Sequence, residues 1–372
     1  MENITFITST FLPEINGVTV SLFELIKQLY LKLYNVKVVM PNYKSIAHLL
    51  NMNLLHDVQN YCTIDNYPSS KFGNYPYARK PKPFSLHYNA CNEKIVVVEP
   101  DRLQIGNIFF PVKNTGHAFA FMRQDYFKAA ELYYSSLQFR ISHPFLRRFI
   151  SWTYNNYSKV FVLSEYAKEI LLDIGVKTPV SIIKQGLNHD IFVKQKPIAK
   201  DLPLRITFIG RVSIEKNLQL LFDSLDTCFF NKNNIEIHIV GDGPLKEMYE
   251  NTYNYDFVIY HGFKSQKEIV SILSESHFVI NTCLCETFGN TVVEAMACGK
   301  PVIGVNSGAV INHLNKNNGF IINNNSDELR SLLIDLINND INYQELCEGA
   351  YNYSLQYSWE IAAENFINNL FS

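Results

Sequence analysis

The alternation of short β-branched strands with amphipathic segments is the feature that most constrains how this chain can fold. Parallel strands need a crossover connection that is usually a helix, so this alternation is typical of βαβ units around parallel sheets. In the first half the predicted strands are 4–8, 36–40, 95–98 and 159–163, with a helix over 18–34. In the second half the predicted strands are 205–209, 235–240, 258–260, 278–281 and 301–305, with helices near 217–229, 244–252, 266–276 and 289–297. The pattern predicts an α/β fold of two doubly wound, Rossmann-like domains facing across a cleft.

The length of the chain supports two domains. Its 372 residues exceed the usual domain size, and 47% hydrophobic residues supply ample core material. The stretch 192–203, rich in proline and lysine, is predicted to be a linker. We expect a first domain over 1–186 with a C-terminal helix over 357–372, whose amphipathic tail is 359–371, and a second domain over 187–356. Ligands of open α/β sheets bind beyond the carboxyl ends of the strands, so the loops there are expected to carry the chemistry.

Composition argues against several classes of protein. No apolar run reaches the ~18 residues of a membrane-spanning helix, and residues 1–6 lack the pattern of a secretory signal. Seven cysteines without a CxxC pair argue against a disulfide framework or a zinc finger. A pI of 6.6 and the absence of a zinc-finger or RNP pattern argue against nucleic acid as a partner. We therefore expect a cytoplasmic protein.

The net charge of −2 hides an asymmetry between the two halves of the chain. Residues 1–185 carry 20 Lys and Arg against 13 Asp and Glu, whereas the remainder carries 13 against 22. A basic first half favours an anionic partner such as a membrane surface, an acidic acceptor or a phosphate. An imbalance between two solvated surfaces explains the counts equally well.

The loop after the first predicted strand contains Gly17, directly ahead of a helix. A glycine there lets the backbone approach a ligand closely, and free N–H groups at a helix start favour an anion. A turn glycine with a purely structural role is the competing interpretation. The dinucleotide fingerprint GxGxxG is absent both here and after the strand that ends at residue 240.

A second loop, after the predicted strand 205–209, places Arg211 and Lys216 five residues apart at the start of a helix. The arginine fork suits phosphate oxygens, the lysine adds a compact charge, and the helix N-terminus adds to the same field. Such cations would stabilise the charge that develops on a diphosphate leaving group. A solvated helix start with a Glu215–Lys216 surface pair is the alternative.

The segment 285–296 is the strongest constellation in the sequence. Glu286 is predicted to lie in the loop after strand 278–281, and Glu294 about two turns into the following helix. Two carboxylates at this interval can accept hydrogen bonds from separate hydroxyl groups, and the helix start supplies backbone N–H donors for a phosphate. In a purely structural interpretation Glu294 is a surface residue. Its neighbours in sequence are apolar, however, and a carboxylate without a function is uncommon in such surroundings.

Three motifs together resemble glycosyltransferase family 4, a group of retaining, nucleotide-sugar-dependent enzymes with the GT-B fold. They are Gly-Arg-x4-Lys-Asn over 210–217, Gly-Asp-Gly-Pro over 241–244, and Glu-x7-Glu over 286–294 followed by Ala-Met-Ala-Cys-Gly-Lys-Pro-Val. The resemblance runs from about residue 204 to residue 325. The loops 11–18 and 286–290 are most similar to the branch of GDP-mannose-dependent α-mannosyltransferases and sulfoquinovosyl transferases.

The resemblance implies roles for individual residues. Arg211 and Lys216 would hold the diphosphate, Glu286 the donor sugar and Glu294 the ribose, while Gly17 would close over the reacting centre. Further donor contacts would come from Phe288, Gly289, Asn290 and Thr291. Retaining chemistry of this kind is drawn as same-face attack in which the leaving phosphate assists acceptor deprotonation. Neither a protein nucleophile nor a metal is then required, and the chain contains no Asp-x-Asp.

The first domain departs from the pattern of the family. Many relatives carry a histidine after a mid-domain strand, near the reacting sugar. Here either His117 is that residue, or the loop Arg123-Gln124-Asp125 takes its place after the apolar run 118–122. We favour the loop, because active groups follow strands, and we include Asp125 with Glu286, Arg211 and Lys216 among the catalytic candidates.

The segment 138–157 combines four basic or histidine side chains with several aromatic ones. A basic, aromatic-rich amphipathic helix can lie on an anionic membrane, which would suit a lipid acceptor. An ordinary helix packed against the sheet is the alternative.

These features predict a retaining, metal-independent hexosyltransferase without a cofactor. We expect it to move a hexose, with mannose from GDP-mannose as the first candidate, to a glycan or lipid acceptor. A UDP-sugar-dependent glucosyl or galactosyl transferase is one alternative, and a catalytically inactive sugar-nucleotide-binding subunit is another. The nucleotide sugar and the acceptor are the expected partners, with peripheral membrane contact through 138–157.

Overall fold

The structure is a computed structural model that describes residues 2–12, 16–41, 53–67, 69–72, 75–81, 93–100, 118–123, 125–133, 136–198, 203–225, 234–338 and 341–372. Backbone contacts divide the chain into two compact units. The first unit comprises Met1–Phe127, Ser136–Gly186 and Trp359–Ser372, and the second comprises Lys128–Ser135 and Leu187–Ser358.

The described strands are β1 Asn3–Thr8, β2 Asn35–Pro41, β3 Thr63–Tyr67, β4 Ser69–Phe72, β5 Tyr75–Pro81, β6 Glu93–Val98, β7 Ala118–Phe121, β8 Lys159–Val162, β9 Val180–Ile182, β10 Leu204–Ile209, β11 Ile235–Val240, β12 Val258–Gly262, β13 Phe278–Asn281, β14 Val302–Val305 and β15 Gly319–Ile322. The described helices are α1 Gly17–Leu31, α2 Asn53–Val58, α3 Tyr126–Tyr133, α4 Ser136–Tyr154, α5 Glu165–Asp173, α6 Gln219–Asp223, α7 Lys246–Thr252, α8 Gln266–Ser274, α9 Asn290–Ala297, α10 Ser326–Asn338, α11 Tyr343–Ser354 and α12 Trp359–Phe371. No helix within these described ranges is long and apolar enough to cross a lipid bilayer.

The first unit is built on a seven-stranded sheet in the order β3-β2-β1-β6-β7-β8-β9. Its neighbouring strands pair in parallel. All four residues of β7 are buried, as expected for a central strand of a parallel sheet that is covered on both faces. The four strands predicted in the first half are confirmed to within two residues at each end. β3, β4, β5 and β9 were not predicted; in β9, three half-buried residues carry no recognisable periodicity.

Helix α12 completes the first unit from far along the chain, and its bounds are those predicted from the amphipathic tail 359–371. Its Phe366 is fully buried and stacks on Phe6 of β1, with 5.9 Å between the ring centroids. The ring of Trp359 lies against Gly186, where a Cβ atom would stand 2.2 Å from it. Any larger residue at position 186 would therefore displace the start of this helix.

The second unit contains a six-stranded sheet in the order β12-β11-β10-β13-β14-β15. All of its strand pairs are parallel. The five predicted strands are confirmed, and β15 is added at the edge, where Gly319 lets the chain pass close to the carbonyl of Val302. The helix predicted over 217–229 is shorter in the described residues, where α6 ends at Asp223 and 226–233 lie outside them.

The first residues of the predicted linker 192–203 pack against the second unit. Among its described residues, Phe192 is 1% exposed, and the N–H of Gln195 donates to the carbonyl of Cys298 at 3.0 Å. The buried ring of Phe192 and the backbone hydrogen bond of Gln195 attach the first residues of the linker to the second unit. Residues 199–202 of the linker lie outside the described residues.

Helix α1 ends earlier than predicted, at Leu31 rather than at residue 34. Leu33 takes up a left-handed backbone conformation with φ of 66°. The N–H of Tyr34 then reaches back to the carbonyl of Leu29 at 3.1 Å, which closes the helix end. Glycine is the usual residue at such a position, because a side chain such as leucine is sterically strained there.

Replacing Leu33 with glycine is expected to stabilise the protein. Glycine adopts positive φ without the ~1–2 kcal/mol that this conformation costs an L side chain. The leucine side chain is 72% exposed, so little packing is lost. Because glycine also adds entropy to the unfolded chain, we expect a net gain of about 0.5–1 kcal/mol in the free energy of unfolding, measured by urea titration.

Leu31→Gly is the matched control, since Leu31 is 65% exposed but has helical geometry. That change is expected to destabilise the protein because glycine weakens a helix. A loss of stability with Leu33→Gly would contradict the account of the helix end.

Candidate functional site

The carboxyl edge of the second sheet gathers the residues that the sequence motifs single out. Parallel strands all end at the same edge, so the loops after β10, β11, β13 and β14 lie together there. Arg211 and Lys216 follow β10, Glu286 follows β13, and Glu294 lies on α9. These residues belong to one unit, whereas Gly17 and Asp125 belong to the other.

The loop that carries Arg211 is held by the Gly241-Asp242-Gly243 turn after β11. The N–H of Val212 donates to the carbonyl of Asp242 at 2.9 Å. A Cβ atom on Gly241 would stand 1.9 Å from the carbonyl oxygen of Gly210, and one on Gly243 would stand 2.3 Å from that of Val212. The two glycines of this motif thus permit close approach of two backbone loops.

Arg211 itself is exposed on this fixed loop. Within the described part of the chain its guanidinium makes no ion pair. A cation held on a rigid loop, without a protein counter-ion, is available to an anionic ligand.

Lys216 stands at the end of a short 3-10 turn and forms an ion pair with Glu286. The turn is tied to the loop after β13, because Thr282 Oγ1 donates to the carbonyl of Lys216 at 2.6 Å and the N–H of Leu284 donates to that of Glu215 at 3.2 Å. Burial lowers the pKa of Lys216, but the charge and hydrogen bond of Glu286, together with the nearby Cys283 and Cys285, raise it overall. This environment favours the charged form of Lys216.

The backbone of Glu286 rests on the segment after β14. The N–H of Ala309 donates to the carbonyl of Glu286 at 2.7 Å, and Ser307 Oγ donates to the carbonyl of Leu284 at 2.6 Å. Gly308 has φ of +63°, and a Cβ atom there would stand 2.7 Å from the Glu286 carbonyl oxygen. The sequence analysis missed this support, although a glycine just after a predicted strand was a readable signal for it.

Helix α9 begins next to Glu286 with an N-cap that has no side chain. Gly289 is left-handed, with φ of 92°, and no side-chain hydrogen bond caps the helix. The first N–H groups of a helix have no partner within it, and the start of a helix favours an anion. Phe288 is buried just before this turn.

Glu294 lies in the second turn of α9, with buried apolar residues on both sides of it in sequence. The side chain is half-buried, and within the described ranges it has no ion-pair partner. Removal from water disfavours the charged form of a carboxyl group. Burial therefore raises the pKa of Glu294 from its ordinary 4.5 to about 7.

The start of α1 differs from the prediction made for Gly17. Asn16 caps the helix, and its side-chain oxygen accepts from the N–H groups of Val18 at 2.9 Å and Thr19 at 3.0 Å. Thr19 in turn receives the N–H of Asn16, which completes a capping box. Gly17 is exposed at the first helical position, but the N–H groups that follow it are not free for an anion.

Asp125 is buried and acts as a helix cap. Its carboxylate accepts from the N–H of Phe127 at 3.0 Å and from the hydroxyl of Tyr166 at 2.5 Å. Arg123, two residues earlier, is buried and hydrogen-bonds Ser21 of α1. His117 lies outside the described residues, as does Gln124. A catalytic role for Asp125 stays a prediction.

Glu294→Gln is expected to raise stability in a pH-dependent way. Between pH 4.5 and about 7 the folded protein keeps a proton on Glu294 that the unfolded chain has released, so this carboxyl lowers stability as pH rises. The variant should melt above the wild type at pH 8, with the difference shrinking at pH 5, in thermal unfolding followed by circular dichroism.

Glu169→Gln, at an exposed position on α5 of the other unit, serves as the control. A melting difference for Glu294→Gln that does not change with pH would contradict the effect of burial on this carboxyl.

Comparison with known proteins is most informative for this second unit. Residues 190–353 match the family of glycosyl transferases group 1. An uncharacterized glycosyltransferase of Methanocaldococcus jannaschii is 29% identical over 219 residues, covering 58% of this chain and 59% of that protein. An alpha-monoglucosyldiacylglycerol synthase of Streptococcus pneumoniae is 28% identical over 222 residues, covering 55% and 48%. The matches thus span about half to three-fifths of the length of these relatives.

Solved structures extend the similarity to the whole chain. HepE of Anabaena, in complex with UDP and glucose, matches with a TM-score of 0.73 and 14% identity, covering 100% of both chains. At this identity the likeness shows the fold alone, and it confirms the predicted fold class of two parallel-sheet α/β domains. The chain has the GT-B fold, and its segment 190–353, which carries Arg211, Lys216, Glu286 and Glu294, matches the group 1 glycosyltransferases.

Proposed function

We propose that this protein is a retaining glycosyltransferase that moves a hexose from a nucleoside-diphosphate sugar to a glycan or lipid acceptor. The observation that carries the proposal is the pairing of Lys216 with Glu286 beside the uncapped N-terminus of α9. It brings a cation, a carboxylate and a helix N-terminus to the carboxyl edge of one parallel sheet. The match of this unit to group 1 glycosyltransferases supports the same activity.

The diphosphate of the donor is assigned to Arg211, Lys216 and the first turn of α9. Lys216 has three N–H donors, so it can keep its bond to Glu286 and still donate to a phosphate oxygen. Arg211 offers a planar fork and has no competing carboxylate among the described residues. Two cations and a helix N-terminus stabilise the negative charge that grows on the leaving diphosphate, so no divalent metal is needed.

The two carboxylates are assigned to hydroxyl groups of the donor. Glu286 lies in the loop beside the diphosphate site and is placed to accept from the sugar. Glu294, one helical turn further along α9 than the first N–H groups, is assigned to the ribose. Phe288, Gly289, Asn290 and Thr291 would contribute backbone contacts to sugar and phosphate.

A retaining, same-face mechanism is supported by the ion pair of Glu286 with Lys216. Glu286 is engaged by the ammonium of Lys216, which lowers its value as a nucleophile. In a same-face mechanism the acceptor hydroxyl attacks as the bond to the diphosphate breaks, and its proton passes to the leaving phosphate oxygen. The protein then supplies position and charge rather than a covalent intermediate.

Mannose from GDP-mannose is the first candidate donor, on the resemblance of the loops 11–18 and 286–290. A UDP-sugar-dependent glucosyl or galactosyl transferase is the second candidate, since the HepE structure of the same fold holds UDP and glucose. A catalytically inactive sugar-nucleotide-binding subunit would bind a nucleotide without turnover.

The proposed donor site is tested with Arg211→Ala, Lys216→Ala and Glu294→Gln. Thermal shift against GDP, UDP, ADP and their sugar conjugates, with EDTA or with magnesium, identifies the nucleotide. Ligand at ~100 Kd adds about 2.7 kcal/mol, which is a visible shift. Each variant is expected to lower transfer at least a hundredfold, as measured by release of the nucleoside diphosphate with and without acceptor. Lys216→Ala also leaves the Glu286 charge unpaired and lowers stability, so all variants are compared well below their melting temperatures.

Lys316→Ala is the control, because Lys316 is exposed in the turn before β15, at the opposite edge of the same sheet. Normal turnover in all three site variants would overturn the assignment. Binding without any hydrolysis or transfer would favour the inactive subunit.

For the acceptor, we propose that the outer face of α4 lies on an anionic lipid surface. Phe145, Arg148 and Trp152 recur at helical spacing, and all three are exposed, Phe145 to 74%. The helix contains no acidic residue. It also lines a cavity of about 620 Å³ together with Ile174. A soluble helix presents charged residues of both signs to water, whereas aromatic rings beside arginine fit lipid headgroups.

Two observations limit and support this surface. Arg147 is already paired with Asp173 at 2.9 Å, so Arg148 is the arginine left for a lipid phosphate among the described side chains of α4. The relative from Streptococcus pneumoniae is named an alpha-monoglucosyldiacylglycerol synthase. A diacylglycerol lipid is the class of acceptor that such a surface would bind.

Sedimentation with lipid vesicles tests the α4 surface. The wild type is expected to bind phosphatidylcholine vesicles only when phosphatidylglycerol is included, and less at high salt. Arg148→Glu and Trp152→Ser should each lower the bound fraction severalfold, while Lys316→Glu in the second unit should not. Equal binding by wild type and Arg148→Glu would contradict the proposal.

A further inference from the structure

A buried histidine lies directly beneath the donor-site loop. His313 follows the 3-10 turn after β14 and is 4% exposed. Its Nε2 lies 2.6 Å from the carbonyl oxygen of Phe288, two residues after Glu286. Its ring also meets the ring of Phe288 edge-on, with 4.8 Å between centroids. One side chain thus contacts both the backbone and the side chain of Phe288.

The hydrogen-bond partners of His313 define where its proton lies. A carbonyl oxygen only accepts, so Nε2 must carry the hydrogen and donate to Phe288. Nδ1 is then an acceptor, and the hydroxyl of Tyr357 lies 3.2 Å from it. The hydroxyl of Tyr353 also lies 3.2 Å from Nδ1, 3.1 Å from the carbonyl oxygen of Asn312 and 3.1 Å from the Tyr357 hydroxyl, so the two tyrosines together supply the donor to Nδ1.

The ring of His313 stays neutral at physiological pH. Burial lowers its pKa from 6.5 to about 4, against a smaller opposing effect from the Phe288 carbonyl and Glu286. A neutral imidazole in one tautomer is a fixed donor, because reversing it would leave the Phe288 carbonyl facing a lone pair.

We infer that His313 is a positioning residue for the donor sugar, acting through Phe288 on the loop between Glu286 and the start of α9. This inference rests on the proposed function. The segment after β14 holds the loop at two points, since Ala309 binds the carbonyl of Glu286 at 2.7 Å and His313 binds that of Phe288. With both points held, the Glu286 carboxylate and the Gly289 turn keep one relative placement.

The chemistry of the ring separates positioning from packing. His313→Phe keeps an aromatic ring of similar shape but removes the donor to the Phe288 carbonyl. His313→Gln loses the ring, but its amide can donate to that carbonyl and accept from Tyr357. If placement of the loop depends on the hydrogen bond, the glutamine variant is rescued and the phenylalanine variant is not.

The kinetic experiment compares these variants with a matched histidine elsewhere. His277 is equally buried, at 4% exposed, and its Nδ1 accepts from the N–H of Arg205 at 3.1 Å, at the amino edge of the same sheet. His277→Phe therefore removes a buried histidine with a backbone partner away from the site. The probes are UDP with UDP-glucose and GDP with GDP-mannose, using whichever pair the wild type binds.

We expect His313→Phe to lower kcat/KM for the nucleotide sugar at least tenfold, since small misplacements of reacting groups are costly. Its affinity for the nucleoside diphosphate alone should change less than threefold. His313→Gln should stay within about threefold of the wild type in kcat/KM, and His277→Phe within twofold. Amide hydrogen exchange of residues 284–290 should quicken in His313→Phe and not in His277→Phe.

The outcomes separate this inference from the proposed function. A wild type that neither binds nor turns over any nucleotide sugar overturns the proposed function and the role of His313 with it. An active wild type in which the phenylalanine and glutamine variants of His313 lose equal activity overturns the positioning role alone. Should His313→Phe fail to fold, Tyr357→Phe replaces it, with an expected two- to fivefold loss in kcat/KM, and unchanged kinetics would overturn the role.

Discussion

The ion pair between Lys216 and Glu286 is the interaction on which the candidate site depends. It joins two loops that follow different strands, and each partner is largely buried. Removing either partner from such a pair leaves an uncompensated buried charge, which is strongly destabilising. The surrounding backbone bonds of Thr282, Leu284 and Ala309 hold the two loops in the geometry that the pair requires. The charges and the scaffold therefore constrain one another.

The two carboxylates of the site have opposite environments. Glu286 faces a lysine, whereas Glu294 is half-buried among apolar neighbours and has a raised pKa. Two carboxyl groups in different surroundings can serve different roles in one site. The paired group is fixed by its partner, while the raised pKa of the other lets it exchange a proton near neutral pH. A single loop and helix thus provide two kinds of hydrogen-bond acceptor.

Much of the fold could be predicted from periodicity alone. The amphipathic tail predicted α12 residue for residue, and the apolar runs located the central strands, because buried parallel strands must be apolar on both faces. The edge strands β3, β9 and β15 were not predicted, since short edge strands bury too little to show a period. The end of α1 was predicted three residues too late, because leucine at position 33 gives no sequence signal for a left-handed conformation.

The site was predictable where its residues are contiguous in sequence. Glu286 and Glu294 could be located from one segment, but the supports at Gly308 and His313 come from a different segment that reaches the loop only in the folded chain. Asn16 was readable as a cap from its spacing to Thr19, and that reading would have excluded free N–H groups after Gly17. Contacts between residues distant in sequence determine what a local motif can bind, and such contacts cannot be predicted from hydrophobic periodicity.

The packing of Phe366 against Phe6 has a consequence for the order of assembly. Helix α12 covers β1, yet the whole second unit lies between them in sequence. During synthesis the first sheet emerges long before the helix that covers it. The apolar surface around Phe6 therefore stays exposed until α12 has been made. The second unit can complete its own sheet in the meantime. The first unit to be made is therefore the last to be finished, and its late closure is a point at which a chaperone could act.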